Sequence, residues 1–219
     1  MDWEALRLSL WLALATSIVL LPLGAVIARA LAWNDFRGKW LLEAALTLPL
    51  VLPPTVLGYY LLVGMGAGSP VGAFYERLSG HPLAFSFEGL VVASVIFNIP
   101  FALIPMQRAF EAIPLEVHQA AATCGMAPLE AFVKIELPLA WPGILSGMIM
   151  TAAHTVGEFG VVLMVGGSIP GETRTIAISI YDRVQAFDME AAGMMSATLL
   201  VLSLLALGFT TRLGRKAMR

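Results

Sequence analysis

Residues Leu8–Leu31 read LSLWLALATSIVLLPLGAVIARAL, with no charge before Arg29. About 20 mostly apolar residues suffice to cross the roughly 30 Å hydrocarbon core of a bilayer, so this stretch is a membrane span. Trp40–Met65, Gly89–Met106 and Ala191–Thr211 meet the same requirement. Pro138–Val165 is also long enough and counts as a fifth span, although it carries His154 and Glu158. The expected fold class is therefore an all-α integral membrane protein with five transmembrane helices. It forms one transmembrane domain over residues 1–219, with spans at about 8–31, 40–65, 89–106, 138–165 and 191–211. The first span is not expected to be a cleaved signal peptide. Its apolar run is too long, and Asp2 and Glu4 precede it in place of a basic cluster.

Composition agrees. Apolar residues make up 58% of the chain and charged residues 13%, against roughly 25% charged in an average soluble domain. A soluble core would leave much of that apolar surface unpacked. The formal charge is −2 and no basic run suggests nucleic acid. Cys124 is the only cysteine, so neither an intrachain disulfide nor a multi-cysteine metal site is expected. His81, His118 and His154 lie too far apart in sequence to suggest ligand spacing, and no metal is expected.

Basic residues orient the spans. With the N-terminus outside, Arg29, Arg37 and Lys39 fall in the first inner loop, Arg108 and Lys134 in the second, and Arg212, Arg215, Lys216 and Arg219 in the tail. Only Arg7, Arg77, Arg174 and Arg183 remain outside. Nine against four satisfies the positive-inside rule. The expectation is N-out and C-in.

Two outer connections carry helical patterns. Val71, Phe74, Tyr75 and Leu78 share a face in Val71–Leu78. In Thr175–Phe187, Ile176, Ile180, Val184 and Phe187 share a face that Asp182 and Arg183 avoid. This second stretch reads either as an interfacial helix or as an ordinary packed loop helix. Pro49, Pro53 and Pro54 interrupt the second span, and Pro100 and Pro105 the third. Each removes a backbone donor, and such breaks survive in a membrane where protein or a wet cavity satisfies the freed carbonyls.

Between the third and fourth spans lies a loop, 111–137, with a helix–glycine–helix pattern. Pro114 suits a first helical turn, a helix runs from Leu115 to Cys124, and Gly125 follows where a left-handed cap is expected. Pro128 starts a second short helix through Lys134, and Pro138 is expected to close the loop. Val117, Ala121, Cys124, Leu129, Phe132 and Val133 offer it a face to bury.

Gln119-Ala120-Ala121-x-x-x-Gly125, nine residues, then Ile135-x-Leu137-Pro138 resembles the EAA loop of ABC importer permeases. Gln119 stands for the usual glutamate and Ala122 where arginine is common, which bears on the polar contacts of the loop. Three further stretches resemble molybdate permeases: Leu48-Pro49-Leu50-Val51-Leu52-Pro53-Pro54, Gly157-Glu158-Phe159-Gly160, and Ile169-Pro170-Gly171-Glu172-Thr173-Arg174-Thr175-Ile176. Sulfate permeases share a version of the second, and His154 stands where these families often carry arginine. The resemblance covers essentially the whole chain. It implies a non-enzymatic, multi-pass subunit of the bacterial inner membrane that moves molybdate from periplasm to cytoplasm. Sulfate, thiosulfate and tungstate are the alternative cargoes. It also implies three protein partners: a cytoplasmic ABC ATPase docked at the loop, a periplasmic oxyanion-binding protein, and a second copy of the chain. The chain has no G-x-x-x-x-G-K-[ST] run. No cofactor is expected on it, and ATP is expected on the ATPase partner.

Glu158 is conspicuous on physical grounds. A charge at a helix centre costs about 2.5–3.5 kcal/mol on insertion scales and normally faces protein or water. His154, four residues earlier, is expected on the same helix face within hydrogen-bonding reach. The pair suits a gate, a structural tie between spans, or, in a different class, the proton relay of an ion-coupled secondary transporter. Asn98, Thr151 and Thr155 are the candidate neutral lining of a route.

Overall fold

Asp2 opens the first helix, its Oδ1 accepting the Ala5 amide at 3.0 Å. Ser69 and Ser86 do the same for later helices through the Gly72 and Gly89 amides. Short polar side chains at these positions satisfy donors that a helix start leaves free. The computed structural model describes residues 1–217. Its helices are α1 (Trp3–Trp33), α2 (Lys39–Thr47), α3 (Pro54–Met65), α4 (Pro70–Ser79), α5 (Phe87–Glu111) and α6 (Leu115–Thr123), followed by α7 (Pro128–Ala131), α8 (Leu137–Gly157), α9 (Gly160–Gly166), α10 (Ile176–Gln185) and α11 (Met189–Ala217). No strand occurs among the described residues. Of the basic residues assigned to the tail, Arg219 and the side chains of Arg215 and Lys216 lie outside what is described.

Four helical stretches are long and apolar enough to cross a membrane: Trp3–Trp33, Phe87–Glu111, Pro128–Gly157 and Met189–Phe209. A fifth exists only if Lys39–Leu50 and Pro54–Met65 are one span, and these are bent by 107°. The expected second span is thus not straight. Its residues wind into a 3₁₀ turn at Leu48–Leu50 and leave the helix at Pro53, whose ψ of 135° is extended. Two successive prolines withdraw two amides from the helical ladder. The third span behaves otherwise. Pro100 and Pro105 sit inside one continuous α5 and do not interrupt it.

The fourth span also differs from expectation. Its helix ends at Gly157, Glu158 is extended (φ −70°, ψ 133°), and α9 resumes at Gly160. At its other end Pro138 does not close the preceding loop. A π-helical turn over Phe132–Glu136 joins α7 to α8, with Leu137 N–H donating to Phe132 O. Pro138 has no N–H for the ordinary i−4 carbonyl, and the wider turn absorbs that defect.

The centre of the fold is the α1–α5–α8 contact. Leu20, Ala25 and Ala28 of α1 meet Ala102, Leu103, Met106 and Phe110 of α5 and Ala140 and Ile144 of α8. Two glycines set the α5–α8 spacing. A Cβ on Gly147 would lie 2.8 Å from the Ala102 carbonyl oxygen, and one on Gly143 2.9 Å from that of Pro105. Only glycine permits backbones this close. A second cluster joins Leu57 and Met65 of α3, Phe97 of α5, and Val161 and Val165 of α9. Here too the approach is tight, since a Cβ on Gly58 would sit 2.7 Å from Met164 Cβ and one on Gly160 2.7 Å from Pro54 Cβ.

The amphipathic α4 forms as expected, with Val71, Phe74 and Leu78 exposed. Helix α10 is anchored at its start, while Val184 and, just beyond its end, Phe187 are exposed, so its predicted apolar face is buried only in part. Ile176 and Ile178 are fully buried, the Ile176 amide donates to Ser9 Oγ at 2.8 Å, and Ser179 Oγ donates to Asp2 Oδ2 at 2.8 Å. Asp2 is thereby both cap and clamp. Burial pushes its pKa up, but the Ala5 amide, the Ser179 hydroxyl and the charges of Arg174 and Arg183 together hold it below the ordinary 3.8. By contrast, α11 leaves Leu200, Leu204, Leu205 and Leu207 exposed, as a lipid-facing helix does.

Candidate functional site

Two groups of residues carry the candidate chemistry, one within the spans and one at the end where α1 finishes. In the first, Asn98 of α5 and Thr151 and Thr155 of α8 are fully buried. Asn98 Nδ2 donates to Ser94 O at 2.8 Å and to Thr155 Oγ1 at 3.1 Å, and Thr155 Oγ1 donates to Thr151 O at 2.8 Å. Asn98 Oδ1 lies 3.0 Å from His154 Nδ1. A carboxamide oxygen only accepts, so the imidazole hydrogen sits on Nδ1 and a neutral ring presents Nε2 as an acceptor. The ring is stacked on Phe101 at 3.9 Å and Phe97 at 4.9 Å between centroids. The three predicted lining residues and His154 thus meet in one hydrogen-bonded cluster across the α5–α8 contact, Thr151 through its carbonyl. Contrary to expectation, Asn98, Thr151 and Thr155 are closed to any route by their neighbours.

Glu158 is not part of that cluster. The helix breaks at Gly157, the i, i+4 geometry is lost, and no hydrogen bond joins Glu158 to His154 among the described residues. This corrects the expected pair on one helix face, and the expected position at a helix centre. The carboxylate, 8% exposed, instead accepts the Val161 amide on Oε1 at 2.9 Å. It closes the start of α9, a position where a negative side chain satisfies free amides.

At the other end, the loop folds into a knob. Met126 N–H reaches Ala121 O at 3.1 Å and Gly125 N–H reaches Ala122 O at 3.0 Å, with Gly125 at φ 73°. This is the paired closure of a Schellman turn. Ala121 is buried beneath it, whereas Gln119, Ala120 and Pro138 are exposed and Ile135 and Leu137 half-buried. The expected buried face is only partly so. Val117 and Phe132 pack on the core, but Cys124, Leu129 and Val133 face outward.

Sequence reasoning missed the residues that tie this knob down. Arg29, counted with the first inner loop, lies within α1 and pairs with Glu136, whose side chain is 2% exposed. Its Nη2 donates to Oε1 at 2.9 Å and its Nε to Oε2. His118 Nδ1 stands 3.5 Å from the same carboxylate, and the His118 ring lies 3.8 Å from that of Trp33. The available signal was a carboxylate placed next to Leu137-Pro138 in an apolar run, which requires a partner.

The chain can be set beside known proteins. The family described as the binding-protein-dependent transport system inner membrane component matches residues 11–219. A molybdenum transport system permease protein of Azotobacter vinelandii is 47% identical over 94% of this chain and 91% of its own length. The protein of the same description from Escherichia coli (strain K12) is 36% identical over 98% of this chain and 96% of its own. A bacterial alginate ABC transporter, crystallised with an alginate-bound periplasmic protein, contains a chain of the same fold. Its TM-score is 0.75 at 15% identity, over 97% of this chain and 78% of that one.

Proposed function

This chain belongs to the family of binding-protein-dependent transport system inner membrane components, and from that membership we propose how it works. It is the multi-pass inner-membrane permease subunit of an ABC importer, and its cargo is molybdate. The observation that carries the cargo is the 47% identity to a molybdenum permease over 94% of the chain. ATP is hydrolysed on a separate subunit, and a binding protein delivers the anion.

The finer features are our reading. The N-terminus lies outside and the tail inside, which the distribution of Lys and Arg supports. The knob over 111–137 docks the ATPase through its exposed Gln119, Ala120 and Leu129 surface, with Gly125, Ile135, Leu137 and Pro138 holding its shape. Two copies of the chain enclose the route, because five spans are few for a pathway. Of the expected lining residues and His154, only His154 is partly exposed; Asn98, Thr151 and Thr155 are fully buried between α5 and α8, where they position it and do not themselves line a route. Glu158 gates by holding or releasing the start of α9. A proton relay from Glu158 to His154 lacks the contact it needs, so ion-coupled transport is the weaker reading.

The test is a proteoliposome holding the permease and its ATPase, with binding protein loaded with labelled molybdate outside. ATP-dependent uptake that requires the binding protein, and that excess sulfate does not reduce, is expected. Uptake of free molybdate at a similar rate without the binding protein would place selectivity inside this chain. Uptake driven by a proton gradient without ATP would overturn the transport class.

A further inference from the structure

We propose that the Arg29–Glu136 pair, with His118 and Trp33, is a positioning device that carries motion of α6 directly into α1, alongside the covalent connection. The proposal rests on the reading that the 111–137 knob meets the ATPase.

Helix α6 is thinly attached. Ala121 is its one buried residue, with Val117 half-buried against the core. Along the chain it is joined to its neighbours only by 112–114 and 124–127, which are not helical. A push on such an element would be lost in those joints unless something else held it. That hold is at His118, whose ring lies on Trp33 of α1 and whose Nδ1 faces Glu136. Glu136 in turn closes the π turn next to α8 and is gripped on both oxygens by Arg29. The Arg29 guanidinium also lies 5.2 Å from the Phe132 ring, so the π turn is held from two sides. Helices α1 and α6, the π turn and the first residue of α8 therefore converge on one buried carboxylate.

The chemistry is that of orientation. A planar guanidinium gripping a carboxylate at two points fixes angle as well as distance. A buried ion pair adds little net stability over apolar residues of similar size, so stability alone does not account for it.

Removing one partner strands a buried charge and lowers stability whatever the role. The decisive variant is therefore the apolar pair, Arg29→Met with Glu136→Leu, in the complete transporter in proteoliposomes. We expect Tm and ATPase co-purification close to wild type, and uptake per ATP hydrolysed lower by a factor on the order of ten. Hydrolysis should also stop depending on loaded binding protein. Unchanged uptake per ATP in a stable double variant overturns the proposal. Should that variant not insert, Arg29→Lys decides, because it keeps the charge and loses the two-point grip. The same fall in coupling at unchanged Tm supports the proposal, and normal coupling overturns it. Gly125→Val, measured in parallel, separates the two levels. If it retains full ATPase docking and uptake, the docking reading fails and this inference with it. If it loses docking while the double variant couples normally, only this inference fails.

Discussion

Gly125 allows a prediction in which backbone strain is isolated from everything else. The residue has φ 73°, and a Cβ built on it would meet no atom within 4 Å. Any effect of substitution is thus conformational and not steric against a neighbour. An L-residue in the left-handed region costs about 1–2 kcal/mol. Asparagine costs less because its side chain tolerates that region, and a β-branched residue costs more. The turn is closed by two main-chain bonds, Met126 N–H to Ala121 O and Gly125 N–H to Ala122 O. Each is worth about 1 kcal/mol net. Strain of about 2 kcal/mol is therefore enough to open the knob locally, while α1, α5 and α8 keep their contacts. The expected order of ATPase affinity, measured by titrating ATPase onto the reconstituted permease, is Gly125 ≥ Asn > Ala > Val. About thirtyfold should separate Val from wild type, since about 2 kcal/mol is one and a half decades, and Tm should be unchanged. If Gly125→Asn is as damaging as Gly125→Val, side-chain volume at the docked interface is responsible and the strain argument is wrong. Full affinity in Gly125→Val refutes the docking reading as well.

Glu158→Gln keeps an acceptor for the Val161 amide and should leave Tm near wild type while changing basal ATPase rate or leak; no change in either would remove the gating role. Glu158→Leu, which strips the cap, should lower Tm by an amount corresponding to about 1 kcal/mol. Cys124 is the only cysteine and is exposed, so an impermeant thiol reagent should miss it in intact spheroplasts and label it after permeabilisation. In a Cys124→Ser background, Glu4→Cys should be labelled from outside; the reverse pattern would invert the topology. The depressed pKa of Asp2 means its contribution is present above the unfolded value and is lost as pH falls through the lower folded value. Asp2→Asn should accordingly lower Tm at pH 7, with the gap to wild type closing below the ordinary 3.8. A pH-independent gap would show that Asp2 acts without its charge.

The elements that sequence foretold best were those written in long apolar runs. Leu8–Leu31 and Ala191–Thr211 fall inside α1 and α11, because twenty apolar residues have few alternatives in lipid. Proline was a poorer guide. Pro53 and Pro54 turn the chain, yet Pro100 and Pro105 pass within α5 unbroken. Whether a proline breaks a helix depends on what meets the freed carbonyl, and that neighbour is distant in sequence. The break at Glu158 had no proline to announce it; only Gly157 and Gly160 on either side loosen the helix. The predicted lining residues met because Asn98 and Thr155 share the glycine-set α5–α8 contact. The Arg29–Glu136 pair, 107 residues apart, could not be read from periodicity. Each charge signalled that it needed a partner, but neither named it.

The glycines of α8 also restrict how this protein can move. With Gly143 and Gly147 set against the carbonyl oxygens of Pro105 and Ala102, α5 and α8 cannot slide past one another without collision. They must travel as one rigid body. The same holds for α3 and α9, locked where Gly58 meets Met164 and Gly160 meets Pro54. The two pairs are not independent, since Phe97 of α5 packs in one cluster with Leu57 of α3 and Val161 and Val165 of α9, and a Cβ on Gly166 of α9 would sit 2.6 Å from Leu90 of α5. A displacement at 158–159, the non-helical joint between α8 and α9, would therefore be felt by α5 and α3 together.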